Sequence, residues 1–215
     1  MHKLHNLKFY MTPGSCSTGI HILLEELELV FEAYIVNLPA GEHYTREYVA
    51  INPKSTIPTL VKPDGEAITE YGAICYWLAR SYPKAKLLPD EIDAATRVLE
   101  ILNYAVNSVH LQGYTRIFTP EQYAFESHEI ERVKAQGETI VKKAFVLLNR
   151  QIAGNRYVAG DRFSIADPAL FYLEFWADRI GLKLPEHCQV HYRNMLERPA
   201  VKQVLMEEGY GALYR

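Results

Sequence analysis

A small mixed α/β unit followed by an all-helical unit is the fold class this chain predicts, on three observations. Up to Tyr82, short stretches alternate between strand and helix periodicity. The stretch SYPKAKLLPD (Ser81–Asp90) then breaks the pattern as a linker bracketed by Pro83 and Pro89. Beyond it every apolar pattern has helical spacing. The expected division is an α/β domain over 1–82, a linker over 83–90 and a helical domain over 91–215.

Taken in order, LKFYM (Leu7–Met11) reads as a strand, and Ile20, Leu23, Leu24 and Leu27 then fall on one helical face. FEAYIV (Phe31–Val36) has strand alternation. IPTLV (Ile57–Val61), the turn KPDG and EAIT (Glu66–Thr69) form a hairpin pattern, after which Ile74, Trp77 and Leu78 resume helical spacing. The order β-α-β, hairpin, helix predicts a sheet that is parallel across the first crossover and antiparallel at the hairpin. In the second half, Ala95, Val98, Leu99, Leu102, Ala105, Val106 and Val109 make one apolar stripe, and a second long helix runs from Ile130 to Leu148.

The bulk properties narrow the classes of function. Apolar content of 48% and charged content of 23% over 215 residues are globular values. A net charge of −3 supplies no broad basic field, so no nucleic-acid partner is expected. No apolar run is long enough to span a membrane, and MHKLHNLKFY lacks the long apolar stretch of a secretory signal, so none is expected. The expected setting is cytoplasmic and reducing. Cys16, Cys75 and Cys188 are too few and scattered for a disulfide framework or zinc site, so no metal is expected. His187 and His191, which flank Cys188, lack a further ligand cluster nearby.

Three stretches carry chemistry. YMTPGSCS (Tyr10–Ser17) runs from a strand into a helix start, where outward N–H groups stabilise a thiolate or other anion. NPKSTIPTL (Asn52–Leu60) places Pro58 at the start of a strand, where a missing donor is tolerated. A cis Ile57–Pro58 bond would turn the Ile57 N–H and C=O outward toward a peptide-like ligand, whereas a trans proline opening an edge strand fits the same residues. TEYGAI (Thr69–Ile74) puts Glu70 at a strand-to-helix junction, fit either to meet a ligand's cation beside N–H groups that take a carboxylate, or to answer the helix dipole. SIAD (Ser164–Asp167) reads as a structural capping box with aspartate in place of glutamate. Asn103, Asn107, His110 and Tyr114 recur at helical spacing as a polar strip, facing either a substrate cleft or solvent.

In their order and spacing, YMTPGSCS, STIPTL, TEYGAI and GDRFSIADPAL (Gly160–Leu170) resemble the glutathione S-transferase superfamily, most closely its bacterial beta class, over nearly the whole chain. The resemblance favours the cis proline. It implies a thioredoxin-like first domain that binds glutathione as co-substrate, a helical domain contributing the electrophile site, and a homodimer. By position, Ile57 beside Pro58 would pair with the cysteinyl part of glutathione, while Glu70 and the Tyr71 N–H would hold its γ-glutamyl end. His110 resembles a histidine that the beta class presents toward glutathione from its first long helix. Two departures stand out: a bulky Tyr71 where most relatives carry a small residue, and the extension MHKLHN before the first strand.

A glutathione thiol of pKa about 8.5 needs a donor or a positive field to become a thiolate at neutral pH. Cys16, which matches the beta-class cysteine, ranks first; at a helix start its own thiol pKa is expected to fall, favouring thiol exchange. Ser15 ranks second, as a hydroxyl donor. Tyr10 ranks last, because it lies one residue out of register and strand neighbours face opposite sides of the sheet. Gly19 excludes a Cys-x-x-Cys dithiol cycle. The expected function is conjugation of glutathione to hydrophobic electrophiles, or glutathione-dependent exchange on disulfides. The alternative is a non-catalytic glutathione-binding or protein-interaction protein.

Overall fold

The computed structural model describes residues 6–214, so the leading extension lies outside the described residues except Asn6. Strands β1 (Leu7–Met11), β2 (Phe31–Ile35), β3 (Thr59–Val61) and β4 (Ala67–Ile68) form one sheet in the order β2-β1-β3-β4. β1 pairs with β2 in parallel, while β1–β3 and β3–β4 are antiparallel, as the sequence order predicts. Leu7, Phe9 and Met11 are buried and Lys8 and Tyr10 half-buried, the alternation a pleated strand imposes. Helix α1 (Ser17–Glu26) is buried through Leu24, and α2 (Arg46–Val49) and α3 (Tyr71–Ser81) complete the first half.

The second half is helical: α4 (Ile92–Asn103), a π-helical segment (Tyr104–Tyr114), α5 (Thr115–Phe118), α6 (Ile130–Ile152), α7 (Ala166–Arg179), α8 (Glu186–Leu196) and α9 (Pro199–Glu207). The chain divides into two compact units, one of residues 1–88 with 196–215 and the other of 89–195. By packing, the segment 196–215 groups with the first unit, where α9 lies on α1. No helix among the described residues is long and apolar enough to cross a membrane.

The π-helical segment alters the expected polar strip. Its wider turn changes which positions share a face, so Asn103 and Asn107 are exposed, His110 is half-buried and Tyr114 is fully buried, its hydroxyl donating to Leu173 O at 2.6 Å. The four therefore do not line one surface. Close backbone contact accompanies the segment: a Cβ on Gly137 of α6 would sit 2.7 Å from Gly113 O.

The second unit also buries charge. Asp167, from the SIAD box, accepts from the N–H groups of Val158 (2.8 Å) and Ser164 (2.7 Å), and its Oδ1 lies 3.2 Å from His191 Nε2. His191 Nδ1 is 2.8 Å from Glu174 Oε2, while Glu174 Oε1 has no partner among the described residues. Burial opposes charge on His191, yet Glu174 and Asp167 together outweigh it and hold the ring up at about 10 from 6.5. Burial likewise raises the Glu174 carboxyl above the usual range, against the opposing pull of His191.

Two outcomes are expected. His191→Leu strands two buried carboxylates and lowers stability by about 3–5 kcal/mol in denaturant unfolding. Because the folded pKa of His191 is raised, its stabilisation is complete below pH 6.5 and is lost as pH rises through about 10, a slope the variant flattens. Gly137→Ala forces the backbones of α6 and the π-helical segment apart and costs about 1–3 kcal/mol by the same measurement.

Candidate functional site

The turn between β1 and α1 is built from its own short side chains. Ser15 N–H donates to Thr12 O at 3.1 Å; Gly14, at φ +72°, supplies the left-handed residue that the reversal needs. Ser17 Oγ accepts the Thr12 N–H (3.1 Å) and returns its proton to Thr12 O (3.0 Å). With that proton committed, the 2.6 Å contact between Ser15 Oγ and Ser17 Oγ has Ser15 as donor, and Ser15 Oγ accepts the Ser17 N–H at 3.1 Å. Ser15 is half-buried.

Cys16 sits at the head of α1 with helical φ −58° and ψ −26°, 8% exposed, its thiol directed at Ile57 O at a long 3.9 Å. Burial pushes this thiol up to about 12, and the backbone N–H groups of Cys16 and Ser17 offset only part of that rise. The sequence reading expected the opposite direction. Desolvation outweighs the helix start here, and Cys16 is a neutral thiol near pH 7.

The Ile57–Pro58 bond is cis. Fully buried Asn52 fixes the loop before it, donating to Thr56 O (2.8 Å) and Thr59 Oγ1 (3.1 Å) and accepting the Lys54 N–H (3.0 Å). The Tyr48 hydroxyl also donates to Thr56 O. Ile57 is half-buried, and among the described residues its N–H has no hydrogen-bond acceptor.

Glu70 precedes α3 with extended backbone (φ −117°, ψ 135°), and its own side chain makes no capping hydrogen bond to the helix. Its carboxylate instead pairs with Lys54 Nζ in the proline loop. Tyr71 is 5% exposed, with its phenol in the core beside the Cys75 thiol, so its bulk does not crowd the helix start. The α1 turn and the start of α3 are thus both tied to the loop of Ile57–Pro58, one through Cys16 and the other through Lys54.

The remaining predicted residues lie elsewhere. Tyr10 stacks on Tyr34 (4.9 Å between ring centroids) and meets Tyr48 edge-on, a packing role on the opposite sheet face from Met11. His110 belongs to the second unit, between Tyr172 and Trp176, with Tyr172 Oη 3.3 Å from its Nδ1. Burial pushes its ring down to about 4, so it is neutral at physiological pH. Lys54 was missed because nothing in its spacing marks a partner sixteen positions on. His21, Glu25 and Glu207 bring ligand-type atoms within 4.8 Å of one another, but the His21 ring nitrogens already face Glu207 (3.3 Å) and Glu208 (2.9 Å).

A four-stranded mixed sheet with a cis-proline loop facing two helix starts defines a thioredoxin-like unit. The family described as glutathione S-transferase, N-terminal domain, matches residues 14–81, and its C-terminal-domain counterpart matches 128–210. Glutathione S-transferase GstA of Escherichia coli O157:H7 is 34% identical over 210 residues, covering 94% of this chain and 99% of that protein. Among solved structures, a glutathione transferase homologue from Sulfitobacter with bound glutathione has a TM-score of 0.87 at 28% identity, covering 94% of this chain and 98% of its own. A beta-class glutathione S-transferase from Sphingomonas chungbukensis gives 0.83 at 28%, covering 94% and 99%. The chain belongs to the glutathione S-transferase family.

The cysteines supply a direct check. All three are free and buried, and burial raises each thiol. Native protein is expected to react with iodoacetamide at neutral pH at least about a hundredfold slower than unfolded protein, because reactivity follows the thiolate fraction. Mass spectrometry of labelled Cys16 reads this out, and rapid native labelling there would contradict the burial.

Proposed function

We propose that this protein is a glutathione transferase that joins glutathione through sulfur to a hydrophobic electrophile. The observation that carries this reading is the convergence of the α1 turn and the α3 start on the Ile57–Pro58 loop. The unpaired Ile57 N–H, with its carbonyl, suits the backbone of the cysteinyl residue. Glu70 suits the γ-glutamyl ammonium, and the start of α3 at Tyr71 suits its carboxylate. Lys54 adds a cation for a second carboxylate.

In this position the glutathione sulfur meets the head of α1. The thiol proton passes to water, the Ser15 hydroxyl donates to the thiolate, and the helix start adds a positive field. The thiolate then forms the new C–S bond as the leaving group departs with the electrons of its own bond. The neutral Cys16 thiol favours this chemistry over exchange through a Cys16 thiolate, reversing the sequence ranking of Cys16 above Ser15. The family resemblance assigns the electrophile site to the helical unit, where Phe118 is 46% exposed beside the buried rings of Tyr114 and Trp176. The family resemblance adds a homodimer, and the cysteine usage a cytoplasmic setting.

Calorimetric titration with glutathione and turnover of a chlorodinitrobenzene test the reading. Binding in the micromolar to low-millimolar range, with turnover, is expected; absence of binding overturns it. Ser15→Ala is expected to lower kcat on the order of a hundredfold, and Cys16→Ala to lower it less. Glu70→Ala removes binding shared by ground and transition states, so it raises KM for glutathione about tenfold while kcat changes little.

A further inference from the structure

The turn that carries Ser15 and Cys16 is gripped from the far end of the sequence. Glu208 has a side chain only 1% exposed. Its Oε2 accepts from the Gly14 N–H at 2.8 Å and from the Thr18 hydroxyl at 2.7 Å, and its Oε1 accepts from His21 Nδ1 at 2.9 Å. Gly14 immediately precedes Ser15, and Thr18 lies two residues past Cys16. One oxygen atom therefore holds both ends of the reactive stretch. Tyr210 adds a steric stop: a Cβ on Gly14 would fall 2.0 Å from its hydroxyl oxygen. None of the Glu208 contacts involves Ile57, Glu70 or Lys54.

We propose that Glu208 is a positioning residue for the thiolate-stabilising turn, setting where the Ser15 hydroxyl and the α1 start stand against the glutathione sulfur. The proposal rests on the transferase reading above. Its physical content is reach: two hydrogen bonds to one oxygen define the height of the turn over α1, and a displacement of about 1 Å at a reacting group costs up to a hundredfold in rate. The carboxylate's charge is secondary. A glutamine fills the same place, its carbonyl taking the Gly14 and Thr18 donors while its amide donates to His21 Nδ1, leaving the other ring nitrogen to face Glu207. An aspartate keeps the charge and loses the reach.

The test compares Glu208→Asp, Glu208→Gln and Thr18→Val in steady-state conjugation, with wild-type turnover as the prior requirement. Failure of wild type to bind or turn over glutathione removes the transferase reading, and this proposal with it. Given an active wild type, Glu208→Asp is expected to lower kcat about ten- to a hundredfold, with KM for glutathione within about twofold. The pH midpoint of the ultraviolet thiolate band of bound glutathione should rise with it. Glu208→Gln should restore kcat to within about threefold of wild type, and Thr18→Val should fall between the two. Circular dichroism and thermal unfolding show whether each variant is folded; should Glu208→Asp not fold, Thr18→Val carries the same kcat and thiolate-band readouts. The proposal is overturned by a folded Glu208→Asp or Thr18→Val with unchanged kcat and thiolate midpoint. Loss of kcat in Glu208→Gln with full activity in Glu208→Asp also overturns it, by making charge the operative property.

Discussion

A carboxylate removed from water must find donors, and much of this molecule is arranged around that demand. In the first unit Glu208 finds three, from Gly14, Thr18 and His21. In the second, Asp167 collects the N–H groups of Val158 and Ser164 and one face of His191. Each buried acid joins segments far apart in sequence, because the backbone near it cannot supply all the donors. Leaving any of these groups unpaired costs more than the bond itself contributes, which makes the pairings selective for one arrangement.

The same desolvation acts on the thiol at the head of α1. A cysteine at a helix start is commonly an activated thiol, since the helix field favours the anion. Here Cys16 is packed against the proline loop, and loss of water outweighs that field. Ser15, one residue earlier, is half-buried, and its hydroxyl stays neutral whatever its depth.

Much of the fold is legible in the sequence, for a physical reason. Strand alternation in Leu7–Met11, the helical face of Ile20 and Leu23, and the proline-bounded linker are local signals, each set by neighbours a few positions away. The site motifs are local in the same sense: Ile57–Pro58, Glu70 and Ser15–Cys16 are marked by their own turns and junctions. Missing from the sequence are the relations between distant positions. Lys54 meets Glu70 and Glu208 meets Gly14 without any periodicity to announce it. The polar strip of Asn103, Asn107, His110 and Tyr114 fails for a different reason: the spacing assumes an α-helix, and the backbone there is π-helical. The direction of the Cys16 shift was illegible because helix position can be read from sequence and depth of burial cannot.

Return of the last segment to the first unit has a consequence for biosynthesis. Synthesis runs from the amino terminus, so Gly14 and Ser15 leave the ribosome long before Glu208 and Tyr210 exist. The sheet and α1 are able to form early, but the turn then lacks the carboxylate that accepts its Gly14 and Thr18 donors, and those groups stay hydrated. Only after the whole helical unit has been translated does the chain supply α9 and close the grip. Gly14 and Thr18, made early, are among the last groups to meet their final partner.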